Sequence, residues 1–254
     1  MMIRNPWSAL APLFALCLTG ALTQSACGAE KAAQKAAPEK AAPEKNIPEK
    51  NKEEPSIRRL GDERYQVGPI IVDKANSSFT LSGRVLRTDG PLEFLAVKTG
   101  GSKGYESLLE FDTTATEFNV ACILIGMTTD GVRRSRYHFD EEEVIGPPAE
   151  ITVQWEREGK TFDVPISNLL YLDGKPVDSD HWRYTGSFNN PGDGVFMPEL
   201  SGILISFIHD PDGVIDHQSG IGVNAYGSVS GNTELLPEVG MPLTVTVRHV
   251  PKPE

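Results

Sequence analysis

Between residues 77 and 250 the chain alternates apolar and polar positions, the period-two signature of strands buried on one face. In "SSFTLSGRVLR", Phe79, Leu81, Gly83 and Val85 share a face. "PLEFLAVKT" continues this behind the turn "TDGP". "EITVQWEREGKTFDVP" is a hairpin: Ile151, Val153 and Trp155 alternate with Thr152, Gln154 and Glu156, Glu158-Gly159 turns, and Phe162 and Val164 return. "GILISFIH" (202–209) is a continuous apolar run bounded by turn residues, read as a buried strand. "MPLTVTVRHV" closes the chain with Leu243, Val245 and Val247 on one face. One segment has helical spacing. In "TTATEFNVACILIG", Thr114 and Glu117 form a capping box, Phe118, Ala121/Cys122 and Ile125 share a face, and Gly126 suits the C-terminal end. A shorter helical turn is expected at "PISNLLYL", ahead of the turn "DGKP". The predicted fold class is mainly β (α+β): antiparallel strands in a sandwich-like sheet with one packed helix at about 115–125.

The N-terminal part follows other rules. "MMIRNPWSALAPLFALCLTGALTQSACGAE" has one cation, Arg4, then an apolar stretch near Ala9–Leu18 and small residues. This is the layout of an export signal over residues 1–29, too short in its apolar part to span a membrane. "QSACG" resembles a lipobox, with Cys27 as the lipidated residue, although Gln24 stands where an aliphatic residue is usual. Ordinary cleavage after Gly28 or Ala29 is the alternative. Residues 30–55 repeat a five-residue unit, AAPEK, AAPEK, NIPEK, over 36–50. With recurrent proline and almost no apolar bulk, this segment reads as a disordered, extended tether. Residues 56–254 form the single domain. The expected location is extracytoplasmic, in the periplasm or cell envelope, with the membrane a partner through the lipid anchor.

Charge and cysteines narrow the chemistry. The chain carries −11 overall, and residues 1–55 carry Arg4, six Lys and six Glu, or +1, which leaves the domain at −12. Such a surface repels nucleic acid. Cys17, Cys27 and Cys122 are the three cysteines, and two of them lie in the export region. An internal disulfide or a four-cysteine metal site is therefore excluded. Cys122 is read as a core residue.

Three stretches carry candidate chemistry. "GGSKGYESLLEFD" (100–112) is glycine-rich, but Lys103 precedes Gly104 and the helix starts some ten residues later, so it is no phosphate cradle. It presents Lys103, Tyr105, Glu106 and Ser107 either as a polar site, with Lys103 holding an anion and Glu106 acting as base or ligand, or as a charged turn. "HDPDGVIDH" gathers His209, Asp210, Asp212, Asp216 and His217. It reads as a turn, as part of a calcium loop, or as a zinc site. In "DSDHWRYTGS", Asp178, Asp180 and His181 precede Trp182 and Tyr184, either as a histidine base or as an acidic turn leading into a core strand.

"EFLAVKTGGSKGYESLLEFDTTATEFNVACILIGM", with "HWRYTGSF", "HDPDGVIDH" and "LLPEVGMPLTVTV", resembles the YdjY domain family of exported bacterial proteins over about 60–250. The shared features are a strand, the Gly100-Gly101/Lys103 turn, the Glu106-Ser107 pair and the helix ending in Gly126. The resemblance implies a His before the Glu-Ser pair, where this chain has Tyr105. It implies fold and location and brings no established activity. The expected function is an exported, lipid-anchored, non-enzymatic binding or interaction domain for an unidentified protein or small molecule. The alternatives are a metal-dependent extracytoplasmic enzyme, using His209, Asp210, Asp216 and His217 with Lys103 and Glu106, or a structural calcium-binding domain. A divalent metal, calcium or zinc, is the cofactor those alternatives require.

Overall fold

The computed structural model describes residues 55–251. The export signal, Cys27 and the tether up to residue 54 lie outside the described residues. The chain opens with a meander of β1 (Ile57–Gly61), β2 (Arg64–Val67), β3 (Ile70–Asp73) and β4 (Ser78–Val85). β5 (Phe94–Lys98) and β6 (Ser107–Phe111) lead into helix α1 (Ala115–Leu124). The hairpin follows as β7 (Pro148–Arg157) and β8 (Lys160–Pro165), then β9 (Leu170–Leu172), β10 (Lys175–Pro176) and β11 (Trp182–Tyr184). A short helix, α2 (Met197–Ser201), precedes β12 (Ile203–Ser206), β13 (Ile215–His217), β14 (Val229–Gly231) and β15 (Pro242–His249).

The main sheet runs β1-β2-β3-β4-β15-β7-β11-β13-β12-β5-β6, and β6 pairs back onto β4. That last pairing, Gly83↔Phe111 and Val85↔Leu109, closes the eight strands from β4 to β6 into a barrel. The sandwich-like sheet expected from the sequence is thus corrected to a closed barrel. β4 supplies backbone groups to β15 on one side and β6 on the other, so no edge is left there. The strands are also not all antiparallel: β5 pairs β6 in parallel, and β12 pairs β13 in parallel. β9, β10 and β14 form a separate small sheet.

The alternation reads through into burial. Phe79, Leu81, Val85, Ile151, Val153, Trp155, Leu243, Val245 and Val247 are all buried. Glu158 and Gly159 both adopt positive φ (55° and 74°), the mirror-type turn that matches strand twist. The turn at "PISNLLYL" is a single 3-10 turn, Ile166–Leu169. In α1 the Thr114 hydroxyl accepts the Glu117 N–H at 3.2 Å, and the Glu117 carboxylate accepts the Thr114 N–H at 2.9 Å. At the other end Gly126 (φ 98°) allows Met127 N–H to reach Cys122 O and Gly126 N–H to reach Ile123 O, a Schellman closure. Phe118 meets Phe79 of β4 edge-on at 5.5 Å and Phe111 of β6 at 6.3 Å, while Asn119 accepts the Tyr184 hydroxyl of β11 at 2.7 Å. The helix therefore covers the barrel end where β6 finishes. Cys122 is fully buried among these groups, and burial pushes its thiol well above the ordinary value.

Barrel closure depends on a small residue. A Cβ added at Gly83 would stand 2.7 Å from Glu110 O and 2.9 Å from the Phe111 ring. Gly83→Ala is expected to cost about 1–3 kcal/mol by forcing β4 from β6, read as a lower urea midpoint at unchanged slope.

Candidate functional site

The glycine-rich stretch 99–106 has a topological task. β5 and β6 are parallel and adjacent, with Phe94 opposite Ser107, so the connection must carry the chain back along the whole of β5. Parallel neighbours usually need a longer crossover. Here the return is made by close backbone approach: a Cβ at Gly202 would lie 2.4 Å from Gly101 Cα. The loop ends in a 3-10 turn over Gly104–Glu106, and the Glu93 N–H donates to Glu106 O at 2.9 Å. Lys103 and Glu106 are thereby delivered to the rim where β5 begins. β12 runs antiparallel to β5, with Ser206 opposite Phe94, so its exit loop reaches the same rim. That loop carries Asp210 and Asp212. The rim lies at the barrel end opposite α1.

The rim groups interlock. Lys103 Nζ donates to Glu106 Oε1 at 2.7 Å and to the Tyr105 hydroxyl at 3.3 Å. His138, from the loop before β7, places Nδ1 2.7 Å from Asp210 Oδ2 and Nε2 3.2 Å from Glu93 Oε2. Both neighbours are acceptors, so both ring nitrogens are placed to donate. The hydrogen bond donated to Asp210, reinforced by the charges of Asp210 and Glu93, holds the imidazole above its usual value despite burial. Burial and the Glu106 charge raise the Glu93 carboxyl. Burial and the Asp210 charge raise Asp212, whose N–H donates to Asp210 Oδ1 at 2.9 Å. Burial pulls the Lys103 ammonium down, but its bonds to Glu106 and Tyr105 outweigh this and hold it above the usual lysine value. The histidine that the family resemblance expects at position 105 is absent, yet His138 brings an imidazole to this rim.

The two sequence stretches are thus joined in part. Lys103, Glu106, Asp210 and Asp212 converge. Tyr105 is 62% exposed at the edge. Ser107 is buried, its hydroxyl donating to Lys103 O at 2.7 Å, so it faces the loop. His209, Asp216 and His217 point elsewhere. His209 is fully buried, with Nδ1 2.6 Å from Asp140 O and Nε2 2.7 Å from His217 O. Asp216 is fully buried and neither carboxylate oxygen has a hydrogen-bond partner among the described residues. His217 sets Nε2 3.0 Å from Ser179 Oγ and its ring edge-on to Trp182. Burial, with His181 and His209 nearby, pushes the His217 imidazole down to about 4. Asp178 and His181 are exposed, while Asp180 accepts the Trp182 indole N–H at 2.6 Å and Trp182 is core. Among the described residues, no three His, Cys, Asp or Glu side chains gather in a way that could hold a metal ion.

Glu93 and His138 escape sequence reasoning. Glu93 had a signal, a carboxylate opening an otherwise apolar strand. His138, in "RYHFDEEE", had none, because its loop has no period and its partners lie 45 and 72 residues away.

The His138 ion pairs make a pH expectation. Because its folded value is raised, His138 contributes stability at pH below its unfolded value and loses it as pH rises through the folded one. His138→Gln is expected to flatten the stability profile as pH rises above the ordinary histidine value of 6.5, read by urea melts at several pH values. An unchanged slope would show that these pairs do not form in solution.

No curated protein and no solved structure matches the chain. A family profile does: the YdjY domain matches residues 70–248, well over half the chain and the whole interval that holds the barrel, α1 and every rim residue named above. The chain belongs to the YdjY domain family.

Proposed function

We propose that this protein is an exported, lipid-anchored binding module, held to the membrane at Cys27 by an extended spacer, whose rim receives a ligand bearing a cationic group. The charge count at the rim carries this reading. Four carboxylates, Glu93, Glu106, Asp210 and Asp212, face two cations, Lys103 and His138, so a fully ionised rim keeps two uncompensated negative charges. Exposed Tyr105 and Tyr226, the latter edge-on to Phe139 at 6.3 Å, add aromatic faces suited to a cation. The Ser107 hydroxyl is turned away into the loop, where it donates to Lys103 O.

Spermidine titrated into the full-length mature protein tests this by calorimetry. Binding that weakens with salt and is lost in Glu93→Gln/Asp212→Asn supports the module. Absence of binding at low salt would sink the cationic-ligand reading. Mass measurement of the mature N-terminus tests the anchor: a diacylglycerol-modified Cys27 supports it, and an unmodified Gly28, Ala29 or Glu30 end removes it.

A second reading, acid–base catalysis, draws on the orientation of His138 by Asp210, the arrangement that fixes an imidazole for proton transfer. Turnover of an ester or amide that His138→Gln abolishes would favour it over the module.

A further inference from the structure

On a different part of the surface, an open cleft of about 470 Å³ lies between the small β9-β10 sheet and the loop that follows β13. None of its lining residues belongs to the rim. Its volume falls within the range of small-molecule sites. Leu172, Val177 and Ile221 make its apolar wall, Ser179 and the buried His217 line it with polar atoms, and Asp173, Lys175 and Asp178 contribute exposed charged side chains. We propose that this cleft binds an uncharged small molecule with an apolar body and one hydrogen-bond acceptor, such as an amide or ester carbonyl, which takes its hydrogen bond from the Ser179 hydroxyl.

The assignment follows from the proton on His217. The ring is 2% exposed, and its Nδ1 is buried with no partner among the described residues. An orphaned buried N–H is rarer and costlier than an under-used acceptor lone pair. The proton therefore belongs on Nε2, the nitrogen 3.0 Å from Ser179 Oγ. The imidazole donates and Ser179 Oγ accepts. The serine's own O–H is then left over, since Ser179 Oγ has no other hydrogen bond among the described residues. Ser179 is partly exposed and lines the cleft, so this hydroxyl is a fixed donor at the margin of an apolar wall. The same proton placement argues against a serine nucleophile. A base must accept the serine proton, and the nitrogen facing Ser179 already carries one.

Benzamide, an aromatic ring with one carbonyl, is the probe. Titrated into the full-length protein, it is expected to shift the amide resonances of Gly220, Ile221 and Gly222 saturably, with Kd on the order of 10 mM. Ser179→Ala is expected to weaken it roughly 3- to 10-fold, read at a temperature below the variant's melt, which itself falls because the buried His217 N–H loses its acceptor. Toluene, which lacks the acceptor, is expected to bind the parent protein less well and to be indifferent to Ser179→Ala. No saturable shift at these amides overturns the site. Equal benzamide affinity in Ser179→Ala overturns the hydroxyl's role. Labelling of Ser179 by a fluorophosphonate would overturn the donor assignment in favour of a nucleophile.

Discussion

Asp216→Asn is expected to stabilise the domain at neutral pH, against the usual direction for removing a fully buried charged residue. Asp216 is 0% exposed, and both carboxylate oxygens and the nearby Ser206 hydroxyl lack hydrogen-bond partners among the described residues. Burial, with the charge of Asp210, raises its carboxyl well above the ordinary value, and the nearby backbone of Asp210 and the hydroxyls of Ser206 and Thr185 do not reverse this. The folded chain then keeps a proton that the unfolded chain has lost. The stability contributed by this group therefore falls as pH rises from the unfolded value near 3.8 toward the folded one. The slope is about 1.4 kcal/mol per pH unit while the two states differ by one proton. Asparagine has the shape of the protonated acid and no charge to lose. Urea melts are expected to show the two proteins alike near about pH 4 and the variant the more stable at about pH 7. A variant that is less stable at neutral pH would mean that the carboxylate is ionised and compensated. That is also the result a structural cation under this loop would give.

The opposite outcome is expected one turn away, at His209. His209→Ala should cost about 3 kcal/mol, since each buried polar group left unpaired costs about 1–3 kcal/mol. Both ring nitrogens face carbonyl acceptors and are placed to donate, Nδ1 to Asp140 O and Nε2 to His217 O with Gln218 O at 3.2 Å, while the residue's own carbonyl accepts the Phe139 N–H at 3.1 Å. One imidazole thus fastens the His138 loop to the strand end beneath it. His209 also sits at φ 67°, a conformation alanine adopts reluctantly, so His209→Gly separates the terms. If the lost ring dominates, Ala and Gly variants fall together. If backbone strain dominates, Gly is the milder. A variant that melts with the parent would show that these bonds carry no weight. Since the tie also positions His138, the ring resonances of His138 should broaden or shift in His209→Ala before global unfolding.

These expectations rest on residues whose roles were unequally visible in the sequence. Strand faces were legible at Phe79 to Val85, Ile151 to Trp155 and Leu243 to Val247, because burial on one face imposes a period of two on neighbouring residues. The ends of α1 were legible at Thr114, Glu117 and Gly126, because caps are made by residues three or four apart. The Glu158-Gly159 turn was legible for the same reason. In each case the physical cause and the signal lie within a few residues of each other.

What the sequence by itself determined was therefore local: which segments are strands, where the helix begins and ends, and that "GGSKGYE" is no phosphate cradle. Its short motifs also pointed to the family. The tertiary structure alone decided that the sheet closes, because the β4–β6 seam at Gly83 is a pairing between strands that each already satisfy the alternation, whichever partner they take. It alone decided that β5 and β6 run parallel, which makes the glycine-rich stretch a return path. It alone divided "HDPDGVIDH", sending Asp210 and Asp212 to the rim and His209, Asp216 and His217 into the interior. And it alone brought Glu93 and His138 to Asp210, since contacts between distant segments are set by topology and leave no period in the chain.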